Sequence, residues 1–255
     1  MAATSINEVI EQLEEIIQES VSQESRLGYF AALYKRVTVS VREGIHNGMF
    51  KNGKLMEELD VVFANRYLNA YSEFKTGGNP SESWQVAFEA ATDPKPLVLQ
   101  QLFVGMNAHI SLDLGIAAFE VYGQDLQQHH KDFNTINKVL SSLVDTVQNE
   151  LGTFWPAITF FDKLMGGHDE VLADFGMDIA RDAAWKFATD LESAQASNKD
   201  LKPIEVRRDE KVARFGTKLV NPGRLIGMVV WFLKLFESGS IASQIKELNA
   251  PSKKA

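Results

Sequence analysis

Apolar residues recur at helical spacing along almost the whole chain, and sustained alternation of the kind a strand needs is absent. Ile6, Val9, Ile10, Leu13, Ile16 and Ile17 mark a first helix with Glu and Gln on its other face. Leu27 to Ile45 carries a second, closing near His46-Asn47-Gly48, where Asn and Gly suit a left-handed helix ending. Val37-Thr38-Val39-Ser40-Val41 is the one strand-like run, and it lies inside that helical pattern. Leu55 to Phe74 predicts a third helix. Asn79-Pro80-Ser81-Glu82 reads as the start of a fourth, with Asn79 as cap and Pro80 in the first turn.

A long apolar helix is expected from Leu97 to Val121, then helices over Thr135–Leu151 and Pro156–Leu164, a break at Gly166-Gly167, and an amphipathic helix over Glu170–Leu191. Gln195 to Glu210 is polar and contains Pro203, so it reads as a connector. Short helices finish the chain before a frayed Pro251-Ser252-Lys253-Lys254-Ala255 tail. The expectation is an all-α, compact orthogonal multi-helix bundle of about eight to ten helices, with any site between facing helices. It divides into a bundle over 1–195, a polar connector over 196–210 and C-terminal helices over 211–255 packed on the same domain.

Composition narrows the chemistry. The 255 residues include no cysteine, which removes disulfides, thiolate zinc sites and thiol nucleophiles. A net charge of −8 argues against a nucleic-acid partner. The opening Met1-Ala2-Ala3-Thr4-Ser5 lacks the regions of a signal peptide, so a cytoplasmic location is expected. Leu225 to Phe236 is apolar all round but too short to cross a bilayer. It reads first as a buried core helix; a homo-oligomer interface and peripheral membrane contact are the alternatives.

Polar residues set into apolar helices are the chemical candidates, because burying them demands partners. Asn107, His109 and Asp113 sit in the most apolar long helix, with His109 and Asp113 one turn apart on one face and Asn107 turned nearly opposite. An imidazole and a carboxylate so placed can converge on a divalent ion (Zn, Fe or Mn), with Asp60 and His46 as further ligands. The same pair can instead form a core network in which Arg66 is the counter-ion of Asp113, or a metal-free acid–base pair. Asn65, Arg66, Asn107 and Arg181 are candidates for positioning or neutralising an oxyanionic substrate. Gly105 and Gly115 suggest close approach by a neighbour. His129-His130-Lys131-Asp132 looks like a metal motif, but its surroundings read as a polar loop in which Asp132 caps the next helix.

The runs Leu59-Asp-Val-Val-Phe-Ala-Asn-Arg-Tyr-Leu68, Gly105-Met-Asn-Ala-His-Ile-Ser-Leu-Asp-Leu114 and Ala180-Arg-Asp-Ala-Ala-Trp185 resemble the uncharacterised family catalogued as domain of unknown function 5995. The resemblance covers about Arg26 to Leu191 and implies a single helical domain without an established activity. Leu102 to Asp113 is more distantly similar to the H-x-x-x-D helix of helical zinc-dependent phospholipase C and single-strand nuclease enzymes. The N-terminal Trp and H-x-x-x-E pair of that group are missing, so at most one or two ions are implied. Two functions follow as expectations. One is a metal-assisted hydrolase of an ester or phosphoester small molecule. The other is a non-enzymatic helical protein that binds an apolar small molecule or a partner chain.

Overall fold

A computed structural model describes residues 1–137, 177–235 and 237–250. The expected helices over Thr135–Leu151 and Pro156–Leu164, the Gly166-Gly167 break, His168 and the start of the Glu170–Leu191 helix lie wholly or largely outside the described residues. The described chain is all-α. Ile6–Ser22 forms α1, Gly28–His46 α2, Gly53–Thr76 α3 and Glu82–Thr92 α4. Val98–Ala108 (α5) runs through a π-helical turn, His109–Asp113, into Leu114–Tyr122 (α6). After a 3₁₀ turn, residues 126–137 are helical (α7). Met177–Ala196 (α8), Lys202–Val220 (α9), Arg224–Lys234 (α10) and Ile241–Asn249 (α11) follow.

The caps explain most boundaries. Ser5 accepts from the Glu8 N–H at the start of α1, and Asn52 accepts from the Leu55 N–H in α3. Gly77 closes α3 in the left-handed region at φ 76°. α4 corrects the expected Asn79–Pro80 start. It begins at Glu82, and its first N–H groups are satisfied from another helix: Asp209 of α9 accepts from Glu82 at 2.7 Å and Ser83 at 2.9 Å. A carboxylate there also suits the positive end of the helix.

Two expected loops are helical. The connector shrinks, because Lys202–Val220 is a helix with Pro203 in its first turn, where a missing N–H costs nothing. Residues 127–132 belong to α7 rather than a loop. His129 stacks on Tyr122, His130 lies against Trp185, and Asp132 accepts from the Lys51 and Asn52 N–H groups instead of capping its own helix.

α5, the π turn and α6 form the central element. Val98–Tyr122 is long and apolar enough to cross a bilayer by composition alone, yet its most apolar 18-residue window is 78% buried against neighbouring helices. One apolar cluster joins α1, α2, α3, α4, α5 and α11 around Tyr29, Tyr67 and Trp84. A second joins α3, α6, α7, α8 and α9 around Leu59, Leu114, Phe133 and Leu191. The two glycines mark close approaches: a Cβ at Gly105 would stand 2.6 Å from the Phe30 ring, and one at Gly115 2.8 Å from the Ala184 carbonyl oxygen.

α10 departs from expectation. It buries Val230 and Leu233 but exposes Met228, Trp231 and Leu235, so it lies at the surface and not in the core. Its end is fastened by Lys234, which donates to the Pro96 carbonyl, and by Glu237, which accepts from the Val98 N–H at the start of α5.

Candidate functional site

The π turn sits where the polar residues are. The Leu114 N–H bonds to the His109 carbonyl, five residues back, so one extra residue is accommodated between His109 and Asp113. Such turns inside α-helices concentrate at functional positions. Both side chains point inward and are 3% exposed.

Asp113 is fully engaged. Its Oδ1 accepts from Arg66 Nε at 3.0 Å. Its Oδ2 accepts from the Trp84 indole N–H at 2.7 Å and faces His109 Nδ1 at 3.3 Å. Arg66 is the counter-ion that the sequence suggested, and it reaches on toward Glu120 at 3.5 Å. The guanidinium connects the half-exposed rim to the buried carboxylate.

His109 has one anchored nitrogen and one free one. A carboxylate only accepts, so Nδ1 carries the proton and Nε2 is left as a lone pair. Nε2 is buried without a hydrogen-bond partner. Burial holds the imidazole below its ordinary pKa, outweighing the opposing pull of Asp113, so the ring is neutral near pH 7. The ring lies flat on Phe63, with centroids 3.5 Å apart and planes 8° from parallel. Tyr34 meets it edge-on at 4.5 Å, and Phe30, Trp84 and Tyr67 complete an aromatic box.

Further buried polar atoms belong to the box and its flank. The Tyr34 and Tyr67 hydroxyls and Asp60 Oδ2 have no hydrogen bond of good geometry. Burial pushes both phenols well above their ordinary pKa, and the charges of Asp60 and Asp113 add to this for Tyr34. Burial, with Glu57 nearby, pushes the Asp60 carboxyl up to about 7. Asp60, Phe63 and Tyr67 follow one stripe of α3, and Phe63 and Tyr67 of that stripe meet His109.

The other candidates are dispersed. Asn65 donates to the Ala3 carbonyl and accepts from the Ala3 N–H, both at 2.8 Å, so it clasps the N-terminal segment. Asn107 donates to the Val212 carbonyl at 2.9 Å and ties α5 to α9. Arg181 donates to the Phe133 carbonyl and lies over the Phe133 ring, tying α8 to α7. His46 is exposed at the end of α2, twelve residues and roughly 18 Å of helix beyond Tyr34. The four proposed metal ligands are therefore not gathered. No group of three or more His, Asp or Glu side chains placed to hold an ion occurs among the described residues. Asp113 also has a guanidinium where a cation would sit.

Sequence reading missed the aromatic members of the site. Phe63 and Tyr67 carried a signal, three and seven residues after Asp60 on one helix face. Phe30, Tyr34 and Trp84 carried none, because nothing local separates them from ordinary core aromatics.

With the geometry fixed, comparison with known families identifies the chain. It belongs to the family of unknown function DUF5995. The match runs over residues 6–222, so it includes the whole aromatic box and ends just before α10. Neither a curated protein nor a solved structure matches this DUF5995 chain.

Proposed function

We propose that the protein binds a small, largely apolar molecule carrying a hydrogen-bond donor, and that His109 Nε2 receives that donor. The supporting observation is the lone Nε2 acceptor, buried in an aromatic box while Asp113 fixes the opposite nitrogen. A buried acceptor without a donor costs about 1–3 kcal/mol, and a bound hydroxyl or N–H recovers it. The aromatic walls supply the apolar part of the affinity.

Phenol is the simplest probe. Titrated into the full chain, it is expected to saturate and to shift the His109 Nε2 nitrogen resonance. His109→Phe, folded by circular dichroism, should no longer bind it. An unshifted Nε2 across millimolar phenol overturns the reading.

A second reading uses the same atoms. An imidazole oriented by a carboxylate, with its other nitrogen free, is the arrangement of a general base. It supports a hydrolase that uses His109 directly on a bound ester. A metal-assisted hydrolase would need Arg66 to leave Asp113 and further ligands to arrive. Elemental analysis of protein purified without added metal checks that version.

A further inference from the structure

The central helix carries a second buried acceptor in line with His109. Gln101, Gly105 and His109 are spaced four residues apart, so they form one stripe along α5 into the π turn. Gln101 is 5% exposed. Its amide nitrogen donates to the Pro96 carbonyl at 3.3 Å, while its Oε1 is buried without a partner. Gly105, midway, has no side chain, and Phe30 rests directly on it.

Phe30 and Phe63 are the two walls around His109 that reach the surface, and of these Phe30 is the one that also rests on Gly105. It is partly exposed, unlike Tyr34, Tyr67 and Trp84, which are buried. On one side it closes the box around His109. On the other it lines a cavity of about 20 Å³ shared with Trp84, Phe88, Gln101 and Gly105. A swing of the Phe30 ring would join that cavity to the His109 box. The result is a slot with a glycine floor, flat aromatic walls and a hydrogen-bond acceptor at each end.

We infer that this slot takes a flat ring molecule with a donor at each end, one for His109 Nε2 and one for Gln101 Oε1, and that Phe30 is the residue it displaces. The inference rests on the binding reading above and extends it to a substrate class. The Cα atoms of Gln101 and His109 are separated by roughly 12 Å of helix rise. A single ring with para hydroxyls is the simplest flat molecule that carries a donor at each end.

Hydroquinone and phenol separate the two ideas. Hydroquinone, kept reduced under argon, is expected to bind the full chain about tenfold more tightly than phenol, since one further hydrogen bond is worth about a factor of ten. Gln101→Leu should bring hydroquinone down to the affinity of phenol and leave phenol unchanged. In the unaltered protein, hydroquinone but not phenol should shift the Gln101 side-chain amide resonances, a readout that does not depend on the variant folding. Phe30→Ala should speed the binding of both. Equal affinity for the two probes, or an unmoved Gln101 amide with His109 still responding, overturns the slot while sparing the His109 reading. Silence of His109 toward both probes overturns both.

Discussion

Asp60 and Asp113 are both buried, and they have opposite surroundings. Asp113, on the π turn, is held by a guanidinium, an indole N–H and an imidazole. Asp60, on α3, has a buried oxygen with no partner and a carboxyl pushed up to about 7. The difference lies in what reaches them: α3 offers Arg66 and α4 offers Trp84 to Asp113, whereas Asp60 Oδ2 receives no donor and has the charge of Glu57 nearby. A carboxylate with a full set of donors is a structural lock; one without them is a group that burial forces toward neutrality.

The lock gives the largest expected effect. Asp113→Ala leaves the Trp84 N–H buried without an acceptor and the Arg66 charge without its partner. Breaking one side of such a buried pair costs about 3–5 kcal/mol. For a chain of this size that is a fall in Tm on the order of 10 °C. Asp113→Asn, which retains an acceptor for Trp84, should fall less. Thermal melts in which Asp113→Ala loses under 1 kcal/mol would show that the lock is not what holds the π turn.

Asp60 should behave in the opposite sense. Its folded pKa is raised from 3.8 to about 7, so protonation favours the folded state. That contribution is complete below about pH 4 and is lost as pH rises through 7. Asn mimics the protonated acid at every pH. Asp60→Asn is therefore expected to stabilise the protein at pH 8 by about 2–4 kcal/mol, and to change little at pH 4. His109 runs the other way: its pKa is lowered, so its contribution is present above its ordinary 6.5 and lost as pH falls. With Asp60 removed, its falling contribution no longer offsets the rising His109 slope. Chemical denaturation from pH 5 to pH 8 should show stability climbing more steeply in Asp60→Asn than in the unaltered chain. A variant weaker than the parent at pH 8 would mean that Asp60 has a partner after all.

The same contrast sets what was legible in the sequence. Helix periodicity located α1, α2, α3 and the central helix, because each has a one-sided or fully apolar pattern. The inward turn of His109 and Asp113 followed from their spacing, and so did the separate role of Asn107. α9 was hidden because its polar surface and Pro203 look like a loop when the burial of Val212, Ala213 and Leu219 is unknown. The surface position of α10 was hidden for the converse reason, since an all-apolar run reads as core. The site residues failed mainly where partners are long-range. Asp209 capping α4, Asp132 holding the Lys51 and Asn52 N–H groups ahead of α3, and Trp84 bonding Asp113 are contacts between elements, and no local pattern announces them.

Asn65 makes the smallest test and the most specific one. As a polar residue set into an apolar helix it is a candidate for substrate positioning, like its neighbour Arg66, yet successive residues on a helix do not share a face. Arg66 turns to Asp113, while Asn65 turns away and makes two hydrogen bonds with the Ala3 backbone. Asn65→Ala removes two hydrogen bonds to one backbone residue and should cost about 1–2 kcal/mol. Amide exchange at Ala3 should quicken at the same time. Phenol binding and the His109 resonance should not move. A shift at His109 on this substitution would mean that the N-terminal clasp and the aromatic box are coupled through α3, and that the two faces of that helix do not act independently.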